Sequence, residues 1–314
     1  MTLPAVAEVS TAAAPPPYHS KMSSKFQFAV PTTLEYFNAL VADDASLSLL
    51  EAAASIGLDE HPHLDLQGVL AEVDELADRL KRRIPADMVP LQRLRWLNGY
   101  FFHELGFRGN VNNYYDPGNS YVHEVLRTRR GIPITLAILY IEMATQIGLR
   151  AHGVSFPGHF LVKISKLNGP GNGEVVIDPF TGKSLSREDL DERLGPYKIS
   201  QGLVGDFDAP LGLFLQSAQP REVLARMLRN LKEIHSTAED WLRLMPVMDR
   251  LVMLMPHAHE ERRDRGRAWA QLGQAGKAAE DLEAYLRDRP DADDSRVLAE
   301  QLDRLRRGER PRLH

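Results

Sequence analysis

The residues of this chain best suited to chemistry are a histidine and an aspartate that lie in two short apolar segments. His159 is part of Pro-Gly-His-Phe-Leu-Val, and Asp178 is part of Val-Ile-Asp-Pro-Phe. A carboxylate that accepts a hydrogen bond from histidine holds the ring in one tautomer and orientation, as in acyl-transfer enzymes that use histidine as a general base. The pair therefore predicts either a base with its orienting acid or a buried polar pair with a structural role.

The segments around this pair predict two antiparallel strands, residues 158–164 and 174–180, joined by a loop rich in Gly, Asn and Pro. Pairing Lys163 with Glu174 places the histidine directly opposite the aspartate. Because side chains alternate between the two faces of a strand, this register predicts that the histidine and the aspartate share one face.

The sequence contains no cysteine, so no thiol is present for such a base to activate. This absence excludes disulfides, cysteine-bound zinc, iron–sulfur clusters and every thiol nucleophile. Thr135 is a hydroxyl near the start of the preceding helix, and its alternative interpretation is a hydrogen bond within that helix. Arg130, close to the end of the helix before that, is a candidate to hold an anion, although the helix dipole also explains it.

A polar and aromatic loop is the candidate wall of a cleft beside the histidine. Its candidate binding residues are Tyr114, Tyr115, Asp116 and Asn119. Turn formation and helix capping explain Asp116 and Asn119 without any ligand, so both interpretations stay open for them.

Metal and nucleotide sites receive little support from the sequence. The pairs His61-Pro62-His63 and His257-Ala258-His259 lack further ligands at metal-site spacing, so they predict solvated loop histidines and no metal. The glycine-rich segment 169–173 lies between two strands rather than before a helix, which argues against a phosphate loop. We therefore expect no cofactor.

Helices account for most of the remaining chain. Apolar residues recur at spacings of three and four between residues 34 and 107, and prolines divide them into several short helices. The segment 134–147 is apolar on most faces and is predicted to be a buried helix. After residue 220 the chain is helical, with Pro256 and Pro290 separated by the tetratricopeptide period of about 34 residues.

Two repeat units of unequal quality are predicted in this helical part. The second has small and large residues where the repeat needs them, at Gly266, Trp269, Ala278 and Leu282. The first has Lys232 at a position that requires a small residue. Because such units stack on neighbours to bury their apolar faces, we expect residues 221–307 to pack on the upstream domain and not to fold alone.

Composition limits the partners. The 314 residues are 43% hydrophobic and 26% charged, with a formal net charge of −5, so the sequence predicts no nucleic-acid binding. No apolar stretch approaches the roughly 20 residues of a membrane span, and no secretory signal is recognisable. We therefore predict a cytoplasmic protein without a membrane interaction.

The order of a helix, a buried helix, a strand with histidine and a strand with Asp-Pro resembles the core of the transglutaminase-like (papain-type) superfamily. In that superfamily a cysteine begins the buried helix, a histidine is its base and an aspartate orients the ring. The resemblance implies that His159 and Asp178 occupy the second and third positions. It also implies that Pro133 occupies the position of the nucleophile, so the triad lacks its first member.

More narrowly, residues 33–305 resemble the SirB-type bacterial family, in which a tetratricopeptide tail follows the transglutaminase-like domain. Four segments carry this resemblance: Asn113-Tyr114-Tyr115-Asp116-Pro117, Arg130-Gly131-Ile132-Pro133-Ile134-Thr135-Leu136, Pro157-Gly158-His159-Phe160 and Ile177-Asp178-Pro179-Phe180. It implies an α+β core with a small antiparallel sheet and N-terminal helices, followed by an all-α segment. The family has no firmly assigned reaction, so the resemblance implies a fold and not an activity.

The predicted organisation is a disordered tail (1–30), a transglutaminase-like domain with an N-terminal helical region (31–217), tetratricopeptide-like helices (218–308) and a short tail (309–314). We predict a protein that is not an enzyme, whose cleft around Pro133, His159 and Asp178 binds a protein or peptide while the helical repeats add a second surface. The alternatives are a hydrolase or acyl transferase with a non-thiol nucleophile, and a purely structural role. An open groove reaching His159 favours binding or catalysis, whereas a sealed one favours structure. The partner and the oligomeric state stay open.

Overall fold

The computed structural model describes residues 30–167, 173–205 and 208–308. The predicted tails therefore lie outside the described residues, except for Val30, and so does most of the glycine-rich loop between the two predicted strands. No helix within these described ranges is both long enough and apolar enough to cross a membrane.

Six helices form the N-terminal half of the described chain. They are α1 (Thr33–Leu40), α2 (Leu49–Ser55), α3 (Leu66–Lys81), α4 (Pro90–Asn98), α5 (Val122–Thr128) and α6 (Pro133–Gln146). Local sequence explains their ends: Thr32 and Glu35 form a capping box before α1, and Pro90 and Pro133 occupy first turns, where a missing amide costs nothing. Arg129 ends α5 in the left-handed conformation, with a φ of 59°.

A four-stranded antiparallel sheet follows, with strands in chain order. Its members are β3 (Arg150–Val154), β4 (Leu161–Ser165), β5 (Val175–Asp178) and β6 (Lys183–Leu185). A separate two-residue parallel pair joins β1 (Arg108–Gly109) to β2 (Arg130–Gly131). The predicted α+β fold with a small antiparallel sheet is confirmed, whereas β1, β2, β3 and β6 were not predicted.

The predicted register of the hairpin is wrong by two residues. Lys163 pairs with Val176 and Val162 pairs with Ile177, so Glu174 lies beyond the ladder and His159 precedes β4. A shift of two leaves every side chain on its original face, and the hairpin is apolar on both faces, so the pattern could not distinguish the two registers. The ion pair between Lys163 and Glu174 survives, at 3.9 Å from Nζ to Oε1.

Seven α-helices follow in the remaining described residues. They are α7 (Arg187–Ser200), α8 (Leu211–Phe214), α9 (Pro220–Thr237), α10 (Trp241–Leu254), α11 (His259–Gln271), α12 (Ala275–Asp288) and α13 (Ser295–Arg306). Gly266 permits the close approach of α11 to α12, since a Cβ there would lie 3.1 Å from Leu282. Lys232 occupies a position where the repeat requires a small residue. Its side chain forms ion pairs with Glu261 and Asp264.

The apolar side chains form three clusters. The largest surrounds α6, which is buried from Pro133 to Tyr140, and includes side chains from α1 to α5, one face of the sheet, α9 and α10. The second lies between the other face of the sheet and α7 and α8. The third is a small seam between α11, α12 and α13. The buried helix predicted for residues 134–147 is therefore the centre of the main core.

Candidate functional site

His159 and Asp178 contact each other directly. The distance from Nε2 of the histidine to Oδ1 of the aspartate is 2.9 Å. The aspartate side chain is 2% exposed, whereas that of the histidine is 25% exposed. Asp178 is therefore buried, whereas solvent can reach part of the His159 ring.

A tight turn places the histidine just before β4. The amide of His159 donates to the carbonyl of Phe156 at 3.1 Å, with Pro157 and Gly158 at the two central positions. Gly158 has a φ of +69°, a conformation that residues with a Cβ rarely adopt. Proline followed by glycine is the typical sequence of a type II turn, so the sequence itself directs the chain to present the ring here.

The aspartate is the last residue of β5, where Pro179 ends the ladder because it has no amide to donate. Its Oδ1 also accepts from the amide of Phe180 at 3.0 Å. Its Oδ2 accepts from Nη1 of Arg193, on α7, at 3.2 Å. Both carboxylate oxygens are therefore held, and the carboxylate cannot rotate away from the histidine.

Burial raises the pKa of Asp178, but hydrogen bonds and charge from His159, the amide of Phe180 and Arg193 outweigh burial and lower the pKa to about 2. The carboxylate is consequently ionised at neutral pH and can only accept hydrogen bonds. Nε2 of the histidine must then be the donor. In the neutral ring this leaves the lone pair on Nδ1, which is free to act as a base or as an acceptor for a bound amide.

Arg226, on α9, ties the helical segment to the turn that carries the histidine. Its guanidinium donates to the carbonyl of His159 at 2.8 Å, to Oγ of Ser155 at 2.8 Å and to the carbonyl of Phe156 at 3.2 Å. It also lies over the ring of Phe160, 5.6 Å from the centroid. Burial lowers the pKa of Arg226, because it removes water from around the guanidinium charge. Sequence reasoning missed this residue; its only signal was an arginine between two apolar residues of α9, Ala225 and Met227.

A row of rings leads outward from the pair. The ring of Phe180 lies 6.4 Å from that of His159 and 6.0 Å from that of Tyr114, and Tyr115 follows 5.4 Å further on. We call these four side chains the aromatic strip. Tyr114 is 43% exposed and Tyr115 is 69% exposed, so the strip runs from the buried aspartate to the surface. Gly109 makes room for it, since a Cβ there would lie 2.3 Å from the ring of Phe180.

The other predicted residues of this loop act within the protein. Oδ1 of Asp116 accepts from the amide of Gly118, and Nδ2 of Asn119 donates to the carbonyls of Asn113 and Tyr114. Asp116 caps the 3₁₀ turn at Pro117–Ser120, and Asn119 is 4% exposed. Turn formation therefore accounts for both residues, and the turn that they stabilise holds Tyr114 and Tyr115 in position.

Arg130 is likewise engaged, donating from Nη1 to the carbonyls of Gly106 and Arg129. Pro133 is the buried first residue of α6. Thr135 is completely buried, and its Oγ1 has no hydrogen-bond partner, so it makes no hydrogen bond to His159 or Asp178. The structure thus brings together the predicted base, its acid and the tyrosines, but not the predicted hydroxyl.

A surface depression of about 370 Å³ lies away from this pair, lined by residues that include Lys81, Arg93 and Gly148. It contains neither His159 nor Asp178. Side chains able to bind a metal converge at a third place, His61, His123 and Glu124. Neither the depression nor the metal-ligating cluster includes His159 or Asp178.

Two family models match the chain. One, described as the transglutaminase-like superfamily, matches residues 67–229, and the other, described as tetratricopeptide repeat, matches residues 231–303. Together with the fold, these matches define a transglutaminase-like protein with C-terminal tetratricopeptide repeats. The resemblance stated from the sequence is thereby confirmed.

Curated relatives identify the family. A UPF0162 protein of Xylella fastidiosa strain 9a5c is 38% identical over 255 residues, which cover 81% of this chain and 88% of that protein. A UPF0162 protein of Vibrio cholerae is 28% identical, over 89% of this chain and 98% of that protein. The chain belongs to the UPF0162 family.

A stretch of the chain is also similar to a part of a longer eukaryotic protein. F-box only protein 21 of the mouse is 42% identical over 145 residues, which cover 45% of this chain but 21% of that protein. No solved structure matches the chain.

Proposed function

We propose that this protein is a non-catalytic binding protein, in which the aromatic strip and the His159–Asp178 pair receive a segment of a protein or peptide partner. The observation that carries the proposal is the strip itself, which connects an ionised, firmly held carboxylate to two exposed tyrosines. Tyrosine and arginine are enriched among residues that dominate binding energy, because they combine apolar area with a hydrogen-bonding end. Tyr114, Tyr115 and Arg226 bring this chemistry close to the His159 turn.

The pair suits recognition better than reaction. Nδ1 of His159 has a lone pair that can accept a hydrogen bond from a peptide amide. The position that the superfamily uses for a thiol holds Pro133, whose ring offers neither a proton nor a lone pair. The predicted substitute, Thr135, is buried in the core. A base without a nucleophile can still orient a bound chain.

The helical repeats contribute to the same surface. Tetratricopeptide repeats generally mediate interactions between proteins. Helix α9 ends inside the segment that matches this repeat, and its first half reaches the site through Arg226, which holds the backbone of the His159 turn. A partner that binds the strip therefore meets a turn whose position depends on α9. Reuse of a similar stretch within the longer F-box only protein 21 also favours a module that functions by binding.

The proposal is tested by selecting ligands from a random peptide library on the full-length protein and measuring their affinities by fluorescence anisotropy. We expect Tyr115→Ala and His159→Ala to weaken the selected peptides about tenfold or more, as for other aromatic anchors. Trp96→Ala is the matched control, because Trp96 is an exposed aromatic residue on α4, 45% accessible and outside the strip. Equal losses in all three variants, or none in the two strip variants, would contradict the proposal.

Activity assays separate the proposal from the enzymatic alternative. We expect peptidase, esterase and transglutaminase assays of the purified chain to show no turnover. Turnover that disappears in His159→Ala and in Asp178→Asn, but persists in Trp96→Ala, would instead establish a hydrolase or acyl transferase with a non-thiol nucleophile.

A further inference from the structure

Three metal-ligating side chains converge at the N-terminal end of α5. One ligand atom from each of His61, His123 and Glu124 lies within 4.8 Å of the other two, and within the described residues no second group of this kind occurs. The two imidazole rings are 4.5 Å apart between centroids, at an angle of 76°. Sequence reasoning treated His61 as a solvated loop residue, because its neighbour His123 is distant along the chain.

Local structure fixes these positions. His61 follows the 3₁₀ turn at Ile56–Asp59, and its amide donates to the carbonyl of Gly57 at 3.0 Å. His123 and Glu124 are consecutive residues in the first turn of α5. The site thus joins the loop before α3 to the helix that leads into β2 and α6.

Among the described residues, His123 has no hydrogen-bond partner for either ring nitrogen. Both ring nitrogens are buried, and neither makes a hydrogen bond. The backbone of Gly57 packs on one edge of the ring, since a Cβ there would lie 2.9 Å from Nδ1. Buried polar groups are almost always satisfied, and an exception of this kind needs an explanation such as a bound ion. The other edge carries Nε2, which faces Oε1 of Glu124 at 3.7 Å.

The surroundings prepare these groups as ligands. Arg127 donates to Oε2 of Glu124 at 2.6 Å, which orients the carboxylate and leaves Oε1 directed at the histidine. Neutral imidazole is the form that binds metals, and hydrogen bonds to the ligating groups strengthen such sites.

We propose that His61, Nε2 of His123 and Oε1 of Glu124 bind a zinc-class divalent cation. Ligands about 2.0–2.1 Å from a tetrahedral zinc ion lie about 3.4 Å from one another, so the observed 3.7 Å between Nε2 and Oε1 needs only a small adjustment. Two imidazoles select zinc, cobalt or nickel over magnesium and calcium, which prefer oxygen ligands. Three protein ligands leave the fourth position open to water.

The ion would stabilise the fold by linking two segments that are distant in the sequence. It would connect the loop at residue 61 to α5, and α5 leads through β2 to Pro133 at the start of α6. A ligand that binds the folded state and not the unfolded chain raises the melting temperature. Binding should therefore be visible both as a stoichiometric event and as thermal stabilisation.

The experiment uses the full chain without an affinity tag, stripped of metal by a chelator. Zinc is titrated in competition with a chromogenic chelator, cobalt is followed by its ligand-field absorption, and melting is recorded with each metal and with magnesium. We test His61→Asn and Glu124→Gln, because both side chains are partly exposed and the variants should fold. His63→Asn is the matched control, an exposed histidine in the same loop.

We expect one equivalent of zinc or cobalt to bind and raise the melting temperature of the unmodified chain and of His63→Asn, with no effect of magnesium. His61→Asn and Glu124→Gln should weaken binding at least tenfold and lose the stabilisation, while circular dichroism shows the folded spectrum. The proposal is overturned if the unmodified chain binds no zinc at this stoichiometry. It is equally overturned if the two ligand variants bind as tightly as the control.

Discussion

The core around α6 and the C-terminal helices α11 to α13 are stabilised in different ways. α6 is buried from Pro133 to Tyr140, and its neighbours are almost entirely apolar. The C-terminal seam is small, and ion pairs flank it, among them Arg265 with Asp281 at 2.7 Å and Arg263 with Asp294 at 2.9 Å. The first region depends on buried area, and the second depends more on charge.

The difference shows that repeats in sequence and cores in structure have different boundaries. By the tetratricopeptide period α9 and α10 belong with α11 and α12. By packing they belong to the main core, because their apolar faces contact the N-terminal helices and α6. The segment before α9 is also attached to the sheet, since the amide of Ala218 donates to the carbonyl of Gly153 at 2.8 Å. The helices on the two sides of the predicted boundary at residue 217 therefore share one core.

The largest effect should come from cutting the chain at that boundary. An excised fragment of residues 221–307 should not unfold cooperatively, because Leu231, Met248 and Leu251 are completely buried in a core that it has lost. Calorimetry and sedimentation test this. A monomeric fragment with a cooperative melt near that of the full chain would show that the repeats are independent after all.

A single cavity in the main core should have the next largest effect. Leu139→Ala, in the middle of α6 and 1% exposed, should lower the free energy of unfolding by about 2–5 kcal/mol, as for other buried leucines. Leu298→Ala in α13 should fall at the lower end of this range, because α13 packs mainly on α12 and can relax. Urea denaturation measures both. A larger loss for Leu298→Ala would reverse the comparison.

Lowering the pH should destabilise the folded protein through protonation of Asp178. The pKa of Asp178 is about 2 in the folded protein, below its ordinary value of 3.8, so folding favours the ionised form. The contribution to stability is thus complete above about pH 4 and is lost as the pH falls towards 2, with a size of about 2 kcal/mol. Asp178→Asn should remove this pH dependence while Asp208→Asn, an exposed control, retains it. Identical acid profiles for the unmodified chain and Asp178→Asn would contradict the assignment.

The ion pairs of the C-terminal region should give the smallest effect. Arg265 bridges Asp249 on α10 and Asp281 on α12, and Asp281 is 4% exposed. Arg265→Met should cost roughly 1–2 kcal/mol, less than a fully buried pair because about a fifth of the arginine side chain is exposed. The double variant Arg265→Met/Asp281→Leu should regain stability. Urea denaturation at low and high salt checks this, and a double variant no more stable than the single one would count against it.

Sequence reasoning predicted most of the elements but few of the contacts between them. The buried α6, the hairpin and the helical tail follow from apolar spacing and turn residues, which are local properties. The register of the hairpin did not follow, because a shift of two residues conserves both faces. Strand β6 was missed since three residues carry too little pattern. Of the proposed site residues, His159 and Asp178 meet as expected, whereas Asp116, Asn119 and Arg130 serve the loop itself.

The sequence by itself determined that no thiol chemistry is possible, and it predicted that two neighbouring antiparallel strands bring a histidine and an aspartate together. These conclusions need only residue identities and local backbone preferences. Tertiary structure alone decided that Arg226 holds the histidine turn, that the aromatic strip reaches the surface, and that His61 lies against His123. Each of these contacts joins residues far apart in the chain. Their proximity depends on how the helices and the sheet pack, which no local pattern encodes.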